Sequence, residues 1–241
     1  MLIYLRLLTK KQLFILGTIF SLALFSFLML RCVNKISIDT SAQAIKPLPR
    51  VLIDPGHGGE DGGAVVEDTL EKNINLPISQ DTGDLLRLFG FEVQLTRTED
   101  TGLSDEGKNV KQRKINDMKK RLKLYDSCDN NVILSIHQNK FSDTSSNGTQ
   151  VFYSPNHSHS KMLADCIQHA VQYGLQPQNQ RLPKKAGKNI YLLSNTKQPA
   201  VIVECGFLSN KKERQMLLDD AYQRELAFII TTGFLDFQNT V

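Results

Sequence analysis

The pattern of apolar and polar residues changes character twice along the chain. Residues 13–30, LFILGTIFSLALFSFLML, form one uncharged apolar run. Residues 33–49 turn polar, with Ser, Thr and Pro, and read as a tether. From about residue 50 onward, short apolar runs alternate with longer stretches of helical spacing. The runs VLID (51–54), FEVQLTR (91–97), NVILSIH (131–137), TQVFYS (149–154), NIYLL (189–193) and AVIVECG (200–206) are predicted strands. Between them, EKNINLPISQDTGDLLRLFG, the stretch around KINDMKKRLKLYD, and KMLADCIQHAVQYGL space their apolar residues as helices do. A last helix is predicted from about Lys211 to Phe237. Pro77 falls early in the first helix, where its missing N–H is tolerated. The polar segment 141–148 reads as loop. Strands alternating with helices predict an α/β fold over residues 50–238: a single three-layer domain whose twisted, mostly parallel sheet is flanked by helices.

The apolar N-terminal run, with its flanks, is about long enough to span a bilayer. Arg6, Lys10 and Lys11 precede it, as an orientation with the N-terminus inside requires, although Arg31 and Lys35 follow it. A cleaved signal peptide is the rival reading. Against it, the apolar run is long, and the Ala-x-Ala at Ala42–Ala44 lies far downstream. A lipoprotein signal at Cys32 is disfavoured because Arg31 stands where a small residue is needed. The expectation is therefore residues 1–32 as a short cytoplasmic tip and an uncleaved transmembrane anchor, then a tether over 33–49, with the domain outside the cytoplasm. Cleavage would instead make it secreted.

The chain's 241 residues, 41% of them hydrophobic, suit one globular domain with an appendage. A net charge of +4 suits an anionic polymer or membrane surface without demanding one, and no nucleic-acid footprint is visible. Cys32, Cys128, Cys166 and Cys205 form no CxxC or zinc-ribbon spacing.

The candidate chemistry lies at strand ends, where open α/β sheets bind ligands. His57 follows the first strand within DPGHGGEDGGA, whose glycines allow sharp turns and leave room beside the imidazole. His137 ends a second strand and Glu204 a third. Two imidazoles and a carboxylate are a zinc donor set, with one position left open for chemistry. The third donor should lie close to the first turn. Glu71, at the start of the returning helix, competes there with Asp54, Glu60, Asp61, Glu67 and Asp68. Glu204 closes a strand buried on both faces, so desolvation would raise its pKa into the range of a general base; a salt-bridged structural acid is the alternative. His157 and His159 precede a helix and read as surface or capping residues, and His169 as a helix-surface or packing residue. There is no GxSxG, and Cys205 has no evident base partner.

Taken together, DPGHGGEDGGA, LEKNINL, TRTED, SIHQN and PAVIVECGFLSN, in this order, resemble the zinc-dependent N-acetylmuramoyl-L-alanine amidases of the bacterial cell wall, from residue 51 to about 237. The resemblance implies one zinc ion held by His57, Glu71 and His137, with Glu204 catalytic. It also implies a twisted α/β sheet and peptidoglycan, a glycan strand with its stem peptide, as substrate. A narrower resemblance is to the germination-specific amidases of spore formers, which strip peptide from muramic acid ahead of muramic lactam formation in the cortex. It rests on the lone N-terminal apolar segment, the absence of wall-binding repeats and the insert TGLSDEGKNVKQRKINDMKKRLKLYD. Such a protein would work in the space between the forespore membranes. No extra helix long enough to plug the cleft is apparent between His137 and Glu204, so regulation is expected from a partner, such as an accessory activating protein, or from expression timing. The family usually has alanine after SIHxN, where this chain has Lys140 and then Phe141; Asp126 stands where the family has Asn. Three further readings share these residues: a wall-binding module without catalysis, a general vegetative cell-wall amidase, and a metallohydrolase of another amide or phosphoester.

Overall fold

The computed structural model describes residues 18–29 and 48–241. The chain divides into two units, Met1–Pro47 and Leu48–Val241. In the first, residues 18–29 form a helix, α1. Among the described residues no helix is long and apolar enough to cross a membrane. The remainder of the expected anchor, and the expected tether up to residue 47, lie outside the described residues.

Along the second unit come β1 (Arg50–Pro55), the short strands β2 (Val65–Val66) and β3 (Thr69–Leu70), α2 (Glu71–Leu88), β4 (Val93–Leu95), α3 (Val110–Tyr125), β5 (Asn131–Asn139), β6 (Gln150–Tyr153), α4 (His159–Gly174), β7 (Lys184–Lys185), α5 (Tyr191–Asn195), β8 (Ala200–Phe207), α6 (Lys211–Leu217) and α7 (Asp220–Gln238). Six strands make one mixed sheet in the order β4-β1-β5-β8-β6-β7. Only β6 runs against its neighbour β8; the other pairings are parallel. β2 and β3 form a separate hairpin.

The strand pattern explains the layering. Side chains alternate between faces along a strand, and both faces are covered here. Val51, Ile53, Leu134, Ile136, Val201, Val203 and Cys205 face the larger core, packed with Ile74 and Ile78 of α2, Leu163 and Ile167 of α4, and Ile230 and Phe234 of α7. The intervening Leu52, Ile133, Ala200 and Ile202 face a smaller core with Tyr125, Leu192 and Leu193. Burial on both faces is why these strands read as continuous apolar runs.

Three expectations about elements need correction. NIYLL is not a strand: its leucines lie in the short helix α5, which puts the consecutive Leu192 and Leu193 both into the smaller core. A strand would have pointed them to opposite faces. The predicted final helix is two helices, broken where the Asp219 side chain accepts from the N–H groups of Ala221 and Tyr222 and so starts α7 afresh. FEVQLTR contributes only Val93–Leu95 to the sheet, as an edge strand.

Candidate active site

The site is built where β1, β5 and β8 end. In the parallel pairing of β5 with β8, His137 stands opposite Glu204. Their side chains therefore emerge on the same face, about one strand spacing, ~4.8 Å, apart at the backbone. Asp54 of β1 and Ser135 of β5 are also partners in register, so they share that face one step deeper. It is the side covered by α3 and α5, and it opens as a cleft of about 240 Å³ lined by His57, His137, Met118, Ile190 and Tyr191 among others.

His57 lies just beyond β1, and its backbone is left-handed, with φ 64°. For a residue with a Cβ this costs about 1–2 kcal/mol, so it persists only where surrounding contacts impose it. Two arginines do so. Arg121 of α3 donates from Nη1 to the Pro55 carbonyl at 3.1 Å and from Nη2 to that of His57 at 2.7 Å. Arg97, just after β4, donates from Nε to the Pro55 carbonyl and from Nη2 to that of Gly56, at 3.0 and 3.1 Å. Buried Arg121 is neutralised by the buried carboxylate of Asp54, which also accepts from the hydroxyls of Thr96, Tyr125 and Ser135. Burial opposes the Asp54 charge, but Arg121 and the Thr96 and Tyr125 hydroxyls hold its carboxyl below the usual range. Asp54 is thereby spoken for as the brace of the turn.

Glu71 is the first residue of α2, a position where the helix dipole favours a carboxylate. Its Oε2 accepts from the Ala64 N–H at 2.7 Å and lies 3.2 Å from His57 Nε2. Oε1 lies 2.9 Å from His137 Nδ1 and accepts from the Gln138 N–H at 3.0 Å and from Asn75 Nδ2 at 3.3 Å. Ligand atoms of His57, Glu71 and His137 all lie within 4.8 Å of one another. The other acids around the turn are engaged elsewhere: Glu60 with Arg113, Glu67 with Arg214, and Asp61 with the far side of His57 at Nδ1. Asp68 is exposed.

The glycines leave the room beside the imidazole that the sequence suggested, since the cleft there is lined by Gly56 as well as His57, and two of them also make room for the site's own side chains. A Cβ on Gly56 would collide with the His137 ring, and one on Gly63 would lie 2.5 Å from Glu71 Oε2 and 2.7 Å from His57 Cδ2. The room that Gly56 and Gly63 leave is filled by these three side chains.

The electrostatics separate two kinds of carboxylate. Burial disfavours charge on Glu71, but hydrogen bonds to His137 and His57 hold it well below the usual carboxylate range. Burial likewise lowers the His57 imidazole, yet its bonds to Asp61 and Glu71 outweigh this and raise it to about 9. Such an environment selects for positive charge, which a divalent cation supplies, and the N₂O donor set suits zinc. Glu204 is the opposite case. Its Oε2 is shut off from solvent without a hydrogen-bond partner. Burial raises its pKa to about 7, with the Glu71 charge adding to the effect and His137 and His57 offsetting part of it. Unlike Glu71, Glu204 makes no ion pair among the described residues.

A family model described as N-acetylmuramoyl-L-alanine amidase matches residues 51–236. The chain belongs to this amidase family. One relative is the germination-specific N-acetylmuramoyl-L-alanine amidase of Bacillus subtilis strain 168, 35% identical over 188 residues, or 78% of each chain. The solved structure of the CwlD amidase from Clostridioides difficile, in complex with the GerS lipoprotein, superposes with a TM-score of 0.77 at 36% identity, covering 80% of this chain and 100% of that one. The catalytic domain of the amidase CwlV from Bacillus (Paenibacillus) polymyxa var. colistinus superposes with a TM-score of 0.64 at 29% identity, covering 80% and 100%. Peptidoglycan is thus the substrate class that fits this amidase.

The family departures also have places in the structure. Asp126 follows α3, where it accepts from the Thr196 hydroxyl and the Lys197 N–H, away from the cleft. Lys140 donates from Nζ to the Val65 carbonyl, tying the end of β5 to the hairpin, and Phe141 stands half-exposed, edge-on to Phe207. Of the remaining histidines, His157 accepts from the His159 N–H at the start of α4, and exposed His169 lies against Tyr173. Cys205 is buried, which pushes its thiol up, away from reactivity. Sequence reasoning missed Asn75 and Gln138, whose side chains hydrogen-bond each other beneath Glu71. The spacing of Asn75, four residues after Glu71 on one helix, is the signal that would have found it.

Proposed function

We propose that the chain hydrolyses the amide between the lactyl group of N-acetylmuramic acid and L-alanine, with one zinc ion held by His57, Glu71 and His137 and with Glu204 as general base and acid. The observation that carries this is the unpartnered, solvent-shielded Oε2 of Glu204, on the strand position paired with His137. When bound, zinc polarises the scissile carbonyl and makes water a better nucleophile at neutral pH. Glu204 Oε2 accepts a proton from the attacking water. The carbon–nitrogen bond then breaks, and the same oxygen delivers that proton to the departing alanine nitrogen. The products are a lactyl carboxylate and a new N-terminal alanine. A pKa near 7 lets one group perform both transfers. Glu71, held low, stays an anion throughout, and the arginine-braced turn fixes His57 before substrate arrives.

We further assign the work to spore cortex maturation, with the domain outside the cytoplasm, in the space between the forespore membranes, tethered by an uncleaved N-terminal anchor. The germination-specific relative supports the cortex role, and the uncharged run over 13–30 supports the anchor. The CwlD–GerS complex supports an accessory lipoprotein partner. The test is Glu204→Gln on purified peptidoglycan, scored by new N-terminal alanine alongside zinc content. Turnover is expected to fall roughly 10²–10⁴-fold with zinc retained. A fully active variant would remove Glu204 from the mechanism, and a zinc-free wild type would remove the metal.

A further inference from the structure

His57 touches two carboxylates with its two ring nitrogens, and the two contacts differ in kind. Nε2 faces Glu71, within the proposed ligand set, at 3.2 Å. Nδ1 points away from that set and lies 2.8 Å from Asp61 Oδ2. Both carboxylates accept, so position separates the two nitrogens: Nε2, within the ligand set, is the one that can give its lone pair to a metal, and doing so leaves the ring hydrogen on Nδ1, facing Asp61. Asp61 is itself fixed. Its Oδ1 accepts from Lys114 Nζ at 3.0 Å and from the Gly63 N–H at 3.3 Å. The Gly58–Asp61 turn is closed by reciprocal backbone bonds of 3.0 and 3.1 Å. The result is a line of contacts, Lys114 to Asp61 to His57 Nδ1, with Nε2 at the site.

Lys114 sits on α3 between two other residues that grip the same loop. Arg113 pairs with Glu60, and Arg121, two turns on, pairs with Asp54 and holds the His57 carbonyl. One face of this helix thus meets the loop at its backbone, at its rim and, through Asp61, at the imidazole ring.

We propose that Asp61 is a positioning residue: it fixes His57 in the tautomer and ring orientation that present Nε2 to the metal, and Lys114 holds Asp61 in place for this. The inference rests on the metal reading above, and its test separates the two. The full-length protein in detergent is loaded with zinc against a competing chelator, and selectively ¹⁵N-histidine-labelled protein reports the ring nitrogens, with His57→Gln supplying the assignment. In wild type, zinc is expected to shift Nε2 of His57 while Nδ1 remains the protonated nitrogen. Asp61→Ala is expected to weaken zinc binding about 10–100-fold, the usual effect of removing such a carboxylate. Asp61→Asn, which keeps an acceptor oxygen, is expected to recover most of that loss. Lys114→Met is expected to cost less than Asp61→Ala and to add nothing in the double variant with Asp61→Ala. Unchanged zinc affinity in Asp61→Ala, or zinc seated on Nδ1, would overturn the proposal while leaving the metal site standing. Additive losses in the double variant would remove Lys114 from it. No zinc in wild type would overturn both this and the metal reading.

Discussion

Replacing Glu204 by Gln is expected to lower turnover steeply and to stabilise the metal-free fold, and the second effect has a size that follows from the site. The Glu204 carboxyl has its Oε2 shielded from solvent with no donor to satisfy it, and burial raises it from 4.5 to about 7. Each pH unit of difference between folded and unfolded states is worth about 1.4 kcal/mol, so ionising this group costs the fold about 3 kcal/mol. The sign is set by protons. Between 4.5 and about 7 the folded state keeps a proton that the unfolded chain has released. The stability of wild type relative to the Gln variant is therefore greatest below pH 4.5, falls as pH rises through this window, and stays at its lowest above about 7. Urea unfolding of both metal-free proteins at a series of pH values from about 4 to 8 measures the difference directly and cancels groups common to both. A stability difference that does not move with pH would refute the claim that this carboxyl is raised, and with it the argument that one oxygen serves as both base and acid.

Other perturbations follow from the same contacts. Gly63→Ala combines a φ of +71° with a Cβ lying 2.5 Å from Glu71 Oε2, so zinc stoichiometry measured after gel filtration is expected to fall well below one per chain while the fold persists by circular dichroism. Arg121→Met strands the buried Asp54 carboxylate and is expected to cost about 3–5 kcal/mol in urea unfolding. Adding Asp54→Asn is expected to return part of that loss, a coupling that a double-mutant cycle reads. Asp219→Ala removes the cap that begins α7 and is expected to lower stability by about 1 kcal/mol with no change in zinc binding.

Much of the sheet was legible because its strands are buried on both faces, and uninterrupted apolar runs such as VLI and AVIV carry that signature whatever the surrounding sequence. The candidate ligand histidines were legible for a related reason: His137 ends such a run, and His57 sits in the turn that breaks one. What the sequence hid was set by tertiary contact. NIYLL has strand composition, yet Leu192 and Leu193 face one core together and demand a helical turn. Among the acids near the first turn, residue type could not separate Glu71 from Asp54, Glu60 and Asp61. Each is carboxylate-bearing and close in sequence; only the cations brought by α3, namely Arg121, Arg113 and Lys114, divide the work among them. The glycines were recognised as a turn, but the His137 ring beside Gly56 and the Glu71 carboxylate beside Gly63 come from β5 and α2 and could not be inferred locally.

The pairing of His137 with Glu204 across β5 and β8 has a consequence for how such a protein changes over time. The separation between a proposed metal ligand and a proposed base is an interstrand spacing, held by backbone hydrogen bonds that are indifferent to loop sequence. The segments 101–109 and 141–148, which follow β4 and β5 and carry no helix or strand, are free of that duty. Changes in either segment leave that interstrand distance in place. The distance between proposed ligand and proposed base is thus inherited with the sheet itself, and can persist while the loops around it diverge.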